Sequence, residues 1–207
     1  MKLFFPNSIR WSIFIFGLTV LLACLFSIAS TTILEGVGWG IGMLIVLLII
    51  IIGIVFDMMG IASTAAEERP FHAMASERVH GARHAVRVLR NADRFANFCN
   101  DVIGDICGII SGAACAIVVI KLFAAGANAA QGTWYTIVNV AFTALVSGLT
   151  VGGKALGKSI AIHNATAIML YIGKTFYTLE HRFGIKIFQE KKNKGSKGKR
   201  GRKHAAR

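Results

Sequence analysis

Three aspartates, Asp57, Asp101 and Asp105, fall inside stretches otherwise apolar enough to cross a bilayer, and the last two are four residues apart. An ionised carboxylate in hydrocarbon costs about 3 kcal/mol or more, so such groups face a protein interior, a water cavity or a bound cation. Asn97, Asp101 and Asp105 recur every four residues and so share one helix face, with Asn100 beside them. A second polar stripe follows at Asn139, Thr143, Ser147 and Thr150, and Asp57 is expected at a depth comparable to Asp101. Carboxylate, amide and hydroxyl oxygens suit a hard cation such as Mg²⁺, which keeps several waters and takes one or two carboxylates from a protein. The candidate metal ligands are therefore Asp57, Asp101, Asp105, Asn97, Asn100, Asn139 and Thr150, with no lysine or arginine expected inside the stripe. The plainer reading of the same residues is that Asn, Ser and Thr join helices while Asp57 and Asp101 sit hydrated at an interface.

Other chemistry has weaker signals. His80 and His84 are spaced to share a metal face, but no Glu of an H-E-x-x-H motif and no third ligand accompany them. Cys99, Cys107 and Cys115 are eight residues apart on one expected helix and, with Cys24, are read as reduced, small apolar side chains. No nucleophile has a base at a recognisable spacing, and Gly152-Gly153-Lys154 lacks the rest of a phosphate-binding loop, so an enzyme is not expected.

The elements that must position these residues are membrane helices. A hydrophobic fraction of 55% exceeds what a soluble core needs in a chain of 207 residues. Apolar runs at about residues 11–30, 38–60, 98–123 and 134–152 each approach the ~20 residues of a spanning helix. The net charge of +13 is carried by the N-terminus, the segment between the second and third runs, and the tail. Four spans with both termini in the cytoplasm place all of those basic segments on one side, as the positive-inside rule requires. Lys121, at the far end of the third run, is expected to snorkel to the outer interface. A fifth stretch, residues 160–173, is short for a span and reads as an interfacial or re-entrant helix under the bundle. The N-terminal run has a rival reading as a lipoprotein signal acylated at Cys24, or a signal cleaved near Ser30.

Between the second and third runs, Phe71, Met74, Ala75, Val79, Ala82, Val86 and Leu89 recur at helical period, with Arg83, Arg87, Arg90 and Arg94 gathered beside them. Gly81 is a point where this segment divides into two short helices. The fold class expected is an all-α integral membrane protein of four transmembrane helices plus cytoplasmic amphipathic juxtamembrane helices. Its parts are an N-terminal helix and outer loop at 1–37, a three-helix domain at 38–178 with a helical insert at 65–95, and a basic disordered tail at 179–207. Arg83, Arg87 and Arg90 with Lys191, Lys192 and Lys194 are the candidates for binding anionic lipid or a protein partner, at about 1 kcal/mol per basic residue near a membrane surface. Nucleic acid is not the expected partner.

The same residues carry a family resemblance. The run Phe56-Asp57-Met58-Met59-Gly60-Ile61-Ala62, the basic stretch from Gly81 through Ala82-Arg83-His84-Ala85-Val86-Arg87-Val88-Leu89-Arg90-Asn91-Ala92-Asp93-Arg94 to Phe95, and Leu149-Thr150-Val151-Gly152-Gly153-Lys154-Ala155-Leu156 follow one another in order. In this the chain resembles the transmembrane domain of the CNNM/CorB/CorC family, linked to magnesium and cobalt export. The family's first helix ends in a small-residue and acidic motif, its basic stretch reads A-x-x-A-L-x-L-L-x-x-P-x-x-F, and its third helix ends in G-E-x-x-P-K. The resemblance, over about residues 45–175, implies that Asp57 stands where the family has a cation-contacting Ser, Thr150 where it has Glu and Gly153 where it has Pro. Lys154 is retained, no acid stands at Gly60, and Asp101 and Asp105 bracket the position of the family's Asn. The family's nucleotide-binding CBS modules have no counterpart expected in residues 191–207, which are too short and too charged to fold.

Two functions are therefore expected. In the first, the protein is a homodimer in a bacterial cell membrane that binds or transports a divalent, Mg²⁺-like cation through the polar site. In the second, it is a non-transporting scaffold whose basic loop and tail recruit lipid or a protein.

Overall fold

The computed structural model describes residues 5–125 and 133–183, and helices account for every regular element in them. In order these are α1 (Phe5–Glu35), α2 (Trp39–Ala65), α3 (Glu68–Ser76), α4 (Ala82–Leu89), α5 (Ala92–Asn97), a π-helical segment (Phe98–Gly104), α6 (Asp105–Ala125), α7 (Thr133–His163) and α8 (Ala165–Phe183). Four stretches are long and apolar enough to cross a membrane: Ser12–Glu35, Trp39–Ala65, Ala92–Ala124 and Thr133–His163. The third runs through α5, the π segment and α6 as one rod. Large apolar side chains cover the outside of the bundle, among them Phe16, Leu44, Ile109, Trp134 and Val151, the surface expected of helices whose solvent is hydrocarbon.

Helix α2 is the axis of the fold and packs against α5, the π segment, α6, α7 and α8. Its buried stripe is Gly42, Val46, Ile50, Gly53 and Gly60, steps that keep one face toward the neighbours, and Asp57 falls on the same stripe between the last two. A β-carbon at Gly42 would lie 2.8 Å from Val118, and one at Gly53 would lie 2.8 Å from Cys107. At these points α6 approaches α2 closely enough that only glycine fits. The glycines of the third span contribute less. Gly108 meets only the methyl of Thr150 at 4.0 Å, and nothing lies within 4 Å of a β-carbon at Gly112. Leu34, Val46, Ile50, Cys115, Val118 and Val146 join α1, α2, α6 and α7 in one apolar core, while Val102, Ile106 and Ile110 dock α1 through Ile15, Leu22 and Ala23.

The α1–α2 turn is held from outside. Helix ends leave carbonyls without intrahelical donors, and Lys121 Nζ donates to three of them, at Leu34 (2.5 Å), Glu35 (2.9 Å) and Val37 (2.9 Å). Lys121 thus caps α1 with a charge suited to the negative end of a helix. The snorkelling expected of it gives way to a tertiary clasp.

Helices α3, α4 and α8 form a second layer against the C-terminal half of α2 and the end of α7. Phe71, Ala85, Val86, Val88, Met169 and Ile172 are buried together with Ala62 and Ala161, while Arg83 and Arg90 on the other face of α4 are exposed. Glu68 in the first turn of α3 suits the positive end of that helix, and Pro70 is tolerated in a first turn. Gly81 does separate α3 from α4: its φ of +88° is the left-handed region. A β-carbon there would lie 2.6 Å from Lys174 N, and Gly173 meets the Gly81 carbonyl oxygen, so the two backbones touch.

Helix α7 runs unbroken through the paired Gly152 and Gly153 to His163. Gly153 admits Ile54 of α2, and Gly157 admits Met58. Residues 160–173 are not one short helix: α7 takes the first part, Asn164 forms a turn, and α8 carries the rest on to Phe183.

Replacing Phe71 by Ala removes the largest fully buried side chain of the second layer at a cost of about 3 kcal/mol or more. Hydrogen–deuterium exchange is expected to show faster exchange in α3 and α4 with α6 unchanged. For Lys121→Met, loss of charge-assisted bonds worth about 2 kcal/mol is expected to lower the melting temperature and loosen the α1–α2 turn first. An unchanged melting temperature would show that the clasp is dispensable.

Candidate functional site

Asp57, Asp105 and Lys154 come together where α2, the start of α6 and α7 meet. The stripe geometry of α2 aims Asp57 at the π segment, and the missing side chain of Gly104 makes room for it. Asp57 Oδ1 and Lys154 Nζ each lie 3.6 Å from the position a β-carbon on Gly104 would take. Lys154 Nζ donates to Asp105 Oδ1 at 3.1 Å, an ion pair joining α7 to α6. The Lys154 side chain is 23% exposed and that of Asp105 65%. The charges in electrostatic reach of Asp57 are Lys154, the strongest, then Asp105, Lys158 and Asp101. The cluster therefore holds three carboxylates and two ammonium groups.

The lysine corrects the sequence reading, which placed no cation inside the stripe. Lys154 lies one turn beyond Thr150 and Lys158 one turn further, so both continue the polar face of α7. That continuation was visible in the spacing, but ending the fourth span at residue 152 left both lysines outside it.

The π segment alters the expected aspartate stripe. Its i→i+5 bonding replaces the α-helical register over Phe98–Gly104, and Asn97, Asp101 and Asp105 are all exposed, so they do not form one inward face. Asn100 turns toward α2 instead, with its side-chain oxygen against Gly60, buried and without a hydrogen-bond partner. A π turn inside a helix is often found at a functional site, and this one separates Asn100 from Asp105.

The other expected ligands are placed differently. Thr150 Oγ1 donates to the Val146 carbonyl at 2.8 Å and its methyl faces Gly108, so it borders the cluster with its hydroxyl hydrogen already engaged. Asn139 lies eleven residues before Thr150 on α7, roughly 16 Å along the axis at ~1.5 Å per residue, and its buried Oδ1 has no partner. It belongs to a different level of the bundle. Among the described residues no three His, Cys, Asp or Glu side chains converge in an arrangement that could hold a metal ion. Asp57 and Asp105, both near the Lys154 ammonium, are the two carboxylates closest to offering one.

The basic residues of the insert are split between pairs. Arg87 lies 3.8 Å from Glu180 and Arg90 3.8 Å from Glu68, while Arg83 has no ion pair among the described residues. His84 pairs with Glu180 at 2.7 Å, and His80 and His84 both pack against Tyr177. The cysteines Cys24, Cys99, Cys107 and Cys115 are free. Lys191, Lys192 and Lys194 lie outside the described residues. Glu180 and Tyr177 of α8 were not singled out in the sequence, although with His181 they recur at helical spacing on one face.

No protein-family model, no curated protein and no solved structure matches this chain.

Proposed function

We propose that this chain is a multi-pass membrane protein that binds a cation between Asp57 and Asp105 and moves it across the bilayer, with Mg²⁺ as the expected ion. The observation that carries the reading is the Asp105–Lys154 pair at 3.1 Å beside Asp57. Lys154 acts there as a tethered cation, holding the place between two carboxylates that a free ion would take.

Charge counting gives the mechanism. Asp57, Asp101 and Asp105 against Lys154 and Lys158 leave the empty cluster at one net negative charge when all are ionised. Adding Mg²⁺ would reverse that to one net positive, an unfavourable change at low dielectric. If the Lys154 ammonium leaves the cluster as the ion enters, the loaded cluster is neutral, so loading is coupled to departure of Lys154 from Asp105. Asp57 and Asp105 supply carboxylate ligands, the unpartnered Asn100 oxygen lies one helical turn of α2 away across Gly60, and waters complete an octahedral shell.

The exposed carboxylate of Asp105 supports a further part of the reading. At 65% exposure it is not covered within one chain, and an ionised carboxylate is costly against lipid. A second copy packed over this face, with water admitted between the copies, covers it and makes the working unit a homodimer. The arginine-rich α3–α5 layer and the basic tail support a topology with both termini and the second layer in the cytoplasm. The cluster then lies toward the cytoplasmic end of the bundle and loads from there.

Mg²⁺ flux into proteoliposomes is the test. Asp57→Asn and Asp105→Asn are each expected to reduce the rate at least about tenfold, the loss of roughly 1.4 kcal/mol or more of carboxylate interaction with the ion. Lys154→Gln, which removes the competing ammonium, is expected to bind Mg²⁺ more tightly than the wild type. Equal flux in the wild type and Asp105→Asn rules out this site.

A further inference from the structure

A second site lies on the other layer of the molecule. A cleft of about 540 Å³ opens between the α3–α4 turn, α4 and α8, and its walls carry Arg78, Arg83 and Arg87 with His80, His84 and Tyr177. Glu180 is the acidic residue lining it. Three arginines against one glutamate leave the cleft two positive charges in excess. Glu180 is engaged by His84 at 2.7 Å and stands 3.8 Å from Arg87, so it fixes those two side chains in place. Arg78 and Arg83 are exposed and have no ion pair among the described residues.

One wall is aromatic. The Tyr177 ring stacks on His181 at 5.4 Å and meets His80 at 5.6 Å and His84 at 5.7 Å. Such a surface accepts the flat or apolar part of a ligand. Arg78 adds a separate indication. It is the one described non-glycine residue with positive φ, at 59°, where the chain leaves α3 and Val79 N donates back to the Met74 carbonyl at 2.9 Å. Glycine is the favoured residue at that position of a helix end, and a side chain there carries a steric cost. An arginine held in that conformation sets its guanidinium at the mouth of the cleft.

We propose that this cleft binds a phosphate monoester. Its dianionic phosphate is held by Arg78, Arg83 and Arg87, and its organic part lies against Tyr177 and His80. The charge matches: a monoester carries close to two negative charges at neutral pH, against the two in excess on the cleft. The donor type matches, because guanidinium groups bond phosphate oxygens in pairs. The size exceeds that of a bare anion and falls in the range of small-molecule sites. The monoester is either the headgroup of a lipid such as phosphatidic acid or a soluble phosphorylated compound, and the chemistry recognised is the same. This site is separate from the cation cluster and stands without it.

Binding is measured on the full chain with two kinds of probe: phenyl phosphate with the protein in detergent, and vesicles of phosphatidic acid or, as the diester control, phosphatidylglycerol. Saturable binding of phenyl phosphate identifies a soluble ligand, whereas preference for phosphatidic acid vesicles without it identifies a headgroup; either supports the proposal. Arg83→Gln is expected to weaken the binding about tenfold, the loss of one charged hydrogen-bonding contact. Arg78→Gly is expected to raise the melting temperature while weakening binding, which separates recognition from folding. Lys154→Gln is expected to leave it unchanged. The proposal is overturned if neither probe binds, if the diester binds as well as the monoester, or if Arg83→Gln and Arg78→Gly bind as the wild type does.

Discussion

The constraint on which the rest of this structure depends is that charged side chains among apolar helices must meet one another. Lys154 on α7 and Asp105 at the start of α6 are 3.1 Å apart, and Asp57 on α2 reaches the same point because Gly104 leaves room for it. Each of these residues alone would be costly in hydrocarbon. Together they tie three helices at one level. Removing one partner of such a pair leaves the other uncompensated, which costs more than the pair itself contributes. In the proposed function, a mobile cation enters this site only by displacing the Lys154 ammonium.

Close packing around α2 is what brings these groups within reach. Gly42, Gly53 and Gly60 let α6 and the π segment approach, while Gly153 and Gly157 of α7 receive Ile54 and Met58 from α2. Helix contact of this kind has no hydrophobic drive inside a bilayer and relies on van der Waals fit. The second layer follows soluble rules instead: α3, α4 and α8 bury Phe71, Val88 and Met169 on one side and expose arginines on the other. The fold thus joins two solvents' worth of physics along one helix, α2, whose C-terminal end is shared by both layers.

Much of this was legible in the sequence. Four apolar runs of spanning length, the division of the insert at Gly81 and the aspartates as an energetic anomaly all follow from composition and period. What was not legible depended on register. Asn97, Asp101 and Asp105 are exposed while Asn100, in the π segment, sets its side-chain oxygen against Gly60, an arrangement that four-residue spacing does not reveal. The run of α7 past Gly153 was hidden because the apolar stretch ends at residue 152, and with it went Lys154, the cation paired with Asp105. Lys121 read as a snorkelling side chain because its partners, three carbonyls some 84–87 residues away, are backbone atoms common to every helix end. The α8 face with Tyr177 and Glu180 acquires meaning only once it lies against α4.

The central claim is that Lys154 holds the place of a cation between Asp57 and Asp105. A crystal structure of the protein with saturating Mn²⁺, a Mg²⁺ surrogate with an anomalous signal, tests it most directly. The account predicts an anomalous peak between the Asp57 and Asp105 carboxylates, with the Lys154 ammonium displaced from Asp105. An intact Asp105–Lys154 pair and no peak at that position would contradict it.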